Sequence, residues 1–285
     1  MKEKAYAKLN ISLDVSNRRP DGYHDMCMVM QSVTLADDVE VELNAGDTIT
    51  AECNLPYIPC DERNLAVRAA RVYLSRIGST AGVHIKLDKV IPVGAGMAGG
   101  SSNAAAVLRA MNELFDNSLS KDELLKLAGE VGSDVAFCVL GGTALARGRG
   151  EILTSLCPLP DCDIVICKPE FSVSTPELFR AIDRIKVKTR PDTQGIISAL
   201  EDGNLGSVCR RMYNVFEDVG DRRMRAVAEI KKKLLAAGAL GSIMTGTGSA
   251  VFGIFSSGSV SAGLCNQLKK EVDFVEMAKP VGRLI

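Results

Sequence analysis

Apolar and polar positions alternate from the start of the chain. Ala5, Ala7, Leu9, Ile11 and Leu13 are apolar, and Tyr6, Lys8, Asn10 and Ser12 stand between them. A period of two predicts a strand with one buried face, so Lys8 and Asn10 share the other, more polar face. Residues 27–35 and 38–43 read as two further strands around a turn at Asp37-Asp38, and Val83, Ile85 and Leu87 as another. Over residues 64–77 the period becomes helical, with Leu65, Ala69, Val72 and Ile77 on the inner side. After Pro92 a glycine-rich stretch leads into a helix from residue 101 to about 115, where Ala104, Leu108, Met111 and Phe115 keep helical spacing. Ser120 and Glu123 form a capping-box pattern for the next helix, which Gly132 closes.

Residues 156–161, with two prolines, are the candidate linker. They divide an N-terminal unit, residues 1–156, from a C-terminal unit, residues 157–285. Beyond the linker, strand-like runs at 163–167, 250–255 and 273–277 mix with helical ones at 175–183, 222–237 and 259–270. Without strict β-α alternation, the expected class is α+β in two halves.

Composition narrows the function. A chain of 285 residues, 46% hydrophobic, can bury one large core or two modest ones. Lys plus Arg is 34 and Asp plus Glu is 35, a net charge of -1. Such a balance gives no overall field for nucleic acid or an anionic membrane, so an anionic ligand must be held by a local site. No apolar run reaches the ~18 residues of a membrane-spanning helix, and the first residues lack the apolar core of a signal peptide. There are nine cysteines, none in a C-x-x-C pair, and two histidines. That pattern argues against zinc and fits free thiols in a reducing cytoplasm.

The chemistry concentrates in Pro92-Val93-Gly94-Ala95-Gly96-Met97-Ala98-Gly99-Gly100-Ser101-Ser102. Glycines allow close backbone approach, and the helix that follows presents unpaired N–H groups to the loop, a combination suited to phosphate. Ser101 and Ser102 can cap the helix or donate to phosphate oxygens. Gly94, Gly96 and Gly99 also match the dinucleotide fingerprint G-x-G-x-x-G. The acidic residue expected about twenty positions on is missing, since a capped helix begins there. No Gly-Lys-Ser/Thr of a Walker loop follows either. A glycine-rich turn of purely structural use is the remaining alternative, and Gly99-Gly100-Ser101-Ser102 at a helix start is more specific than that.

Three segments together resemble the GHMP kinases, the superfamily of galactokinase, homoserine kinase and mevalonate kinase. They are Ala7-Lys8-Leu9-Asn10, the loop from Pro92 to Ser102, and Met244-Thr245-Gly246-Thr247-Gly248-Ser249. Further blocks, above all Arg19-Pro20-Asp21-Gly22-Tyr23-His24, are similar to one branch of that superfamily. Its members phosphorylate the 2-hydroxyl of a cytidine diphosphate-linked methylerythritol in the non-mevalonate route to isoprenoid precursors. The branch usually carries glycine where this chain has Ala98, and Asp where it has Asn103. With a Cβ, Ala98 is expected at a dihedral that tolerates one.

The resemblance implies ATP as co-substrate, with Mg2+, and a small-molecule acceptor. It implies a first domain like domain 2 of ribosomal protein S5, a ferredoxin-like second domain, and a site in the cleft between them. Asp134 would take the hydroxyl proton, although a helix cap is the plainer use of Asp in Gly-Ser-Asp-Val. Lys8 would stand beside Asp134 and stabilise charge on the transferring group, although a strand lysine is ordinarily a solvated edge charge. Asn10 would position the hydroxyl. Tyr23 would stack on cytosine, His24 would read its edge, Phe179 would form the opposite stacking face, and Thr175 would line that pocket. The alternative for Tyr23 and His24 is a hairpin tip, and for Phe179 the core. Gly246, Thr247 and Gly248 would lie near the phosphates. No protein ligand to the metal is assigned, and oligomeric state is open between a monomer and a weak homodimer. Two rival functions stay in view: another GHMP kinase of homoserine or mevalonate type, and a non-catalytic nucleotide-binding relative.

Overall fold

The computed structural model describes residues 1–219, 223–260 and 262–285. Residue 222, at the start of the helix expected over 222–237, and residue 261, within that expected over 259–270, lie outside them. Along the chain the strands are β1 (Lys2–Arg18), β2 (His24–Asn44), β3 (Ile49–Cys53), β4 (Gly82–Asp88), β5 (Thr143–Gly148), β6 (Ile152–Ser155), β7 (Cys162–Lys168), β8 (Tyr213–Asn214), β9 (Gly241–Met244), β10 (Val251–Ser256) and β11 (Phe274–Ala278). The helices are α1 (Leu65–Ile77), α2 (Gly99–Leu114), α3 (Lys121–Val131), α4 (Val135–Leu140), α5 (Thr175–Ile182), α6 (Thr193–Glu201), α7 (Leu205–Arg210), α8 (Met224–Ala236) and α9 (Ala262–Leu268).

The class is α+β, built on two sheets. The first runs β3-β4-β2-β1-β8, with β5 and β6 added along β2. The second runs β11-β7-β10-β9 and is antiparallel throughout. In chain order that is fourth, first, third, second, the ferredoxin-like arrangement. The proposed 156/157 division falls between β6 and β7, yet later segments return across it. β8 pairs with β1, and isolated bridges join Val33 to Pro280 and Gly141 to Arg283.

β1 departs from its expected single buried face. Register shifts between Tyr6 and Lys8 and between Asn10 and Ser12 bend the strand. Ala5 and Leu13 join a core with Tyr73, Leu108, Met111 and Phe137 under the helices. Ala7, Leu9 and Ile11 join a second core with Ile164, Ile166, Phe252 and Ile254 of the other sheet. Both faces are covered, so Lys8 and Asn10 are buried.

The turn expected at Asp37-Asp38 does not form. β2 runs unbroken for 21 residues, and Asp37 is fully buried within it. Its Oδ1 accepts from the backbone N–H groups of Val90 and Ile91, at 2.6 and 2.7 Å, and its Oδ2 from Lys89 Nζ and Asn103 Nδ2, at 2.6 and 2.8 Å. A carboxylate reads as a strand breaker in sequence; here four donors compensate its burial. This network ties β2, the segment after β4 and α2 together directly beneath the glycine-rich loop.

Candidate active site

One cavity of about 910 Å³ runs from Ile58, Asn64 and Leu65 past the glycine-rich loop to Tyr23, Phe179 and Asp183. Residues 92–101 all line it. The loop is anchored on both sides: Lys8 N–H donates to the Met97 carbonyl and Ala250 N–H to the Ala95 carbonyl, each at 3.2 Å. Gly96 lies at φ 76° where the loop meets the third motif, and a Cβ there would fall 2.3 Å from the Thr245 carbonyl oxygen. Only glycine permits that approach. α2 starts at the end of the loop with no side-chain cap and no acidic residue in its first turn, an arrangement that leaves its amides available to an anion.

Ser102 departs from its expected role at the phosphates. It is buried, its hydroxyl donates to the carbonyls of Tyr6 (2.7 Å) and Ala98 (3.0 Å), and it does not line the cavity. Ser101 does line it. The Cys138 thiol, beside Ser102, is pushed up to about 12 by burial, opposed by the Ser102 hydroxyl bond. It is an inert core group.

Ala98 overturns the expectation of a relaxed dihedral. It sits in the left-handed region at φ 58°, ψ 32°, which costs a residue with a Cβ about 1–2 kcal/mol. Part of that relief is offset by the freer unfolded chain of glycine, ~0.4–1 kcal/mol. Ala98→Gly is therefore expected to stabilise the protein by roughly 0.5–1 kcal/mol, raising Tm by about 1–4 °C. Calorimetry of the two proteins checks this, and a lowered Tm would contradict it.

At the centre Lys8 Nζ stands 3.8 Å from Asp134 Oδ2 and donates to Asn10 Oδ1 at 2.7 Å. Asp134 occupies the N-cap position of α4 but makes no capping hydrogen bond, so the plain cap reading does not account for its carboxylate. Asn10 is wholly buried outside the cavity wall and acts by holding Lys8. The Asn10 N–H donates to Thr245 Oγ1 at 3.0 Å, linking the first and third motifs. Gly246, Thr247 and Gly248 line the cavity, and the Thr247 and Thr175 hydroxyls lie 3.0 Å apart.

At the far end Arg19-Pro20-Asp21-Gly22 forms the β1–β2 hairpin turn. Asp21 accepts from Arg19 Nε and the Tyr23 N–H. Some desolvation pushes the Asp21 carboxyl up, but these hydrogen bonds prevail and hold it below its usual range. Tyr23 is 54% exposed and has the Arg149 guanidinium 5.1 Å over its ring. His24 is buried, stacks on Phe179 with centroids 5.0 Å apart, and meets Asp183 Oδ1 at 2.7 Å from Nε2. Phe179 is wedged edge-on to Phe216. Both readings of Phe179 apply: it packs against the core beside buried Leu178 and also lines the cavity.

Sequence reasoning missed Asp183, Arg149 and the Lys89–Asp37–Asn103 network. Asp183 had a signal, since it follows Phe179 by one helical turn. The others come together only through sheet register.

A cleft that joins a glycine-rich loop at a helix start to a buried lysine paired with a carboxylate is the arrangement of a small-molecule phosphotransferase of the GHMP class. The family model for the GHMP kinases N terminal domain matches residues 64–142, and that for the GHMP kinases C terminal matches residues 196–273. A "4-diphosphocytidyl-2-C-methyl-D-erythritol kinase" of Clostridium botulinum (strain Eklund 17B / Type B) is 44% identical over 271 residues, covering 95% of this chain and 96% of that one. One of Bacillus subtilis (strain 168) is 42% identical over 280 residues, covering 98% and 96%. A crystal structure of 4-(cytidine 5'-diphospho)-2C-methyl-D-erythritol kinase superposes with a TM-score of 0.82 at 34% identity, covering 99% of this chain and all of that one. The chain belongs to the 4-diphosphocytidyl-2-C-methyl-D-erythritol kinase family of GHMP kinases. Among the described residues no helix is long and apolar enough to cross a membrane.

Proposed function

We propose that the protein transfers the γ-phosphoryl group of ATP to the 2-hydroxyl of 4-diphosphocytidyl-2-C-methyl-D-erythritol. The observation that carries this is one continuous cavity: the glycine-rich loop at one end, Tyr23, His24 and Phe179 at the other, and the Lys8–Asp134 pair between. A kinase acting on a small acceptor such as homoserine or mevalonate has no use for the aromatic end.

Phosphoryl transfer asks the protein chiefly for positioning and charge stabilisation. The loop amides and the α2 N-terminus hold the phosphates. Asp134 accepts the proton of the attacking hydroxyl. Lys8, held by Asn10, offsets the negative charge that builds on the transferring group. Magnesium would be carried mainly by phosphate oxygens and water. When bound it would supply charge neutralisation on the phosphates, and the Ser101 hydroxyl, which lines the cavity beside the start of α2, is the protein oxygen that would share it.

The test is ADP release with a panel of acceptors. Turnover with the cytidine diphosphate-linked substrate and none with mevalonate or homoserine supports the reading. Absence of turnover with every acceptor points to a non-catalytic nucleotide binder, and nicotinamide dinucleotide binding would revive the loop's other fingerprint. The phosphate loop has its own check. Ser101→Asp puts a carboxylate in the first turn of α2, where it suits the helix but repels phosphate. ATP binding should weaken by about tenfold or more, ~1.4 kcal/mol, at unchanged Tm. Unaltered ATP affinity by calorimetry would remove the loop from the phosphate site.

A further inference from the structure

The proposed substrate has its groups in a fixed order: base, ribose, two phosphates, then the polyol whose hydroxyl reacts. With the base at Tyr23 and His24 and the hydroxyl at Asp134, the diphosphate must cross the wall between them. That wall includes the turn joining β5 to β6. A Cβ built on Gly150 would lie 3.9 Å from Asp134 Oδ1 and 3.3 Å from Met28 Cε, so the turn rests against the transfer end. One residue earlier, Arg149 reaches the base end, its guanidinium carbon 5.1 Å over the Tyr23 ring. The turn is held by Gly150 N–H to the Arg147 carbonyl (3.1 Å) and by Arg149 N–H to the Glu151 carboxylate (2.6 Å).

The Arg149 side chain lines the cavity and is not spent elsewhere. Its guanidinium makes no hydrogen bond among the described residues, and its ion-pair carboxylate, Glu151, is 3.9 Å away. Stacking on an aromatic ring uses the flat face of a guanidinium and leaves its N–H edges free. Those edges match the oxygen spacing of a phosphate. Arg18 and Arg180 line the same cavity and add positive charge around it.

We propose that Arg149 binds the diphosphate of the substrate, bridging the base-reading and transfer ends of the site. This rests on the cytidine-diphosphate reading above. The competing role is structural: Arg149 only props the Tyr23 ring.

Titration calorimetry with CDP and with cytidine separates the two, each added to protein saturated with a non-hydrolysable ATP analogue. In Arg149→Gln, CDP binding should weaken by about 10- to 100-fold, the range for a hydrogen-bonded charge, with cytidine binding unchanged. Arg149→Lys should recover part of the loss, since charge remains without the fork. Equal weakening of CDP and cytidine would reduce Arg149 to a prop and overturn the proposal, as would CDP binding that does not change. If neither ligand binds the unmutated protein, the cytidine reading of the cleft has failed and the proposal falls with it. That outcome needs no variant, so the two failures are distinguishable.

Discussion

Asp134→Asn should lose about 10²–10⁴-fold in kcat, the usual worth of general-base assistance, while ATP affinity and Tm stay near those of the unmutated protein. The geometry makes the separation clean. Asp134 caps nothing, so its amide replacement removes no hydrogen bond that α4 depends on. The side chain is isosteric, so Lys8 keeps a polar neighbour at the 3.8 Å position. Lys8 also keeps its 2.7 Å bond to Asn10 and does not become an orphaned buried charge. Single-turnover phosphoryl transfer, measured beside ATP titration and calorimetric melting, gives all three quantities. An Asp134→Asn enzyme with near-normal kcat would leave the carboxylate no part in proton transfer. A variant that melts early would instead show that the residue holds α4 in place.

The second large effect concerns base selection. The enzyme should prefer its cytidine substrate over the uridine analogue by ~10⁴-fold in kcat/KM, because a pocket built around one hydrogen-bonding pattern leaves buried polar groups unpaired with the other. Asp183 Oδ1 accepts a 2.7 Å hydrogen bond from His24 Nε2. In the neutral ring this leaves Nδ1 as an acceptor, matched to the 4-amino group of cytosine and mismatched to the 4-carbonyl of uracil. The ring is pinned between that bond and Phe179, so it cannot turn to suit either base. His24→Ala should bring the two substrates to within about tenfold of each other, most of the discrimination being lost. Tyr23→Ala should weaken both together by roughly 1–3 kcal/mol, the value of a stacking contact that tolerates any base. Paired steady-state kinetics on the three proteins decide it. Equal kcat/KM for both bases in the unmutated enzyme would remove cytidine as the selected base without touching the phosphotransferase chemistry.

Much of this site was legible because its motifs are local. Period-two spacing placed Lys8 and Asn10 on one strand face, and the glycine-rich run leads into a helix, α2, as its pattern required. The capping box at Ser120 and Glu123 formed as the spacing required, with both reciprocal hydrogen bonds present. Each is decided within a few residues by dihedral preference and nearest hydrogen bonds. The errors have the opposite character. Asp37 read as a turn because nothing beside it in the chain pairs with it. Its partners Lys89, Val90, Ile91 and Asn103 are more than fifty residues away. Ala98 read as relaxed because its Cβ argues for φ below zero; the joint between loop and α2 imposes φ 58° instead. Ser102 suits a helix cap or a phosphate donor by its place in the chain, but one helical step from Ser101 turns it into the core.

Local order thus set most of the element types, the glycine-rich loop before α2, and the residue kinds that the proposed phosphoryl transfer needs. Burial of β1 on both faces, the meeting of Lys8 with Asp134, and the clasp of His24 by Asp183 were decided by the fold. So was the placement of the Arg149 guanidinium over Tyr23 in the cavity wall. The physical reason is that hydrophobic burial is non-directional and specifies only that a face be covered. Which distant segment covers it depends on sheet register, bulges and the packing of two sheets against one strand. Side chains separated by a hundred residues or more acquire their distances, and with them their chemistry, only when that packing is complete.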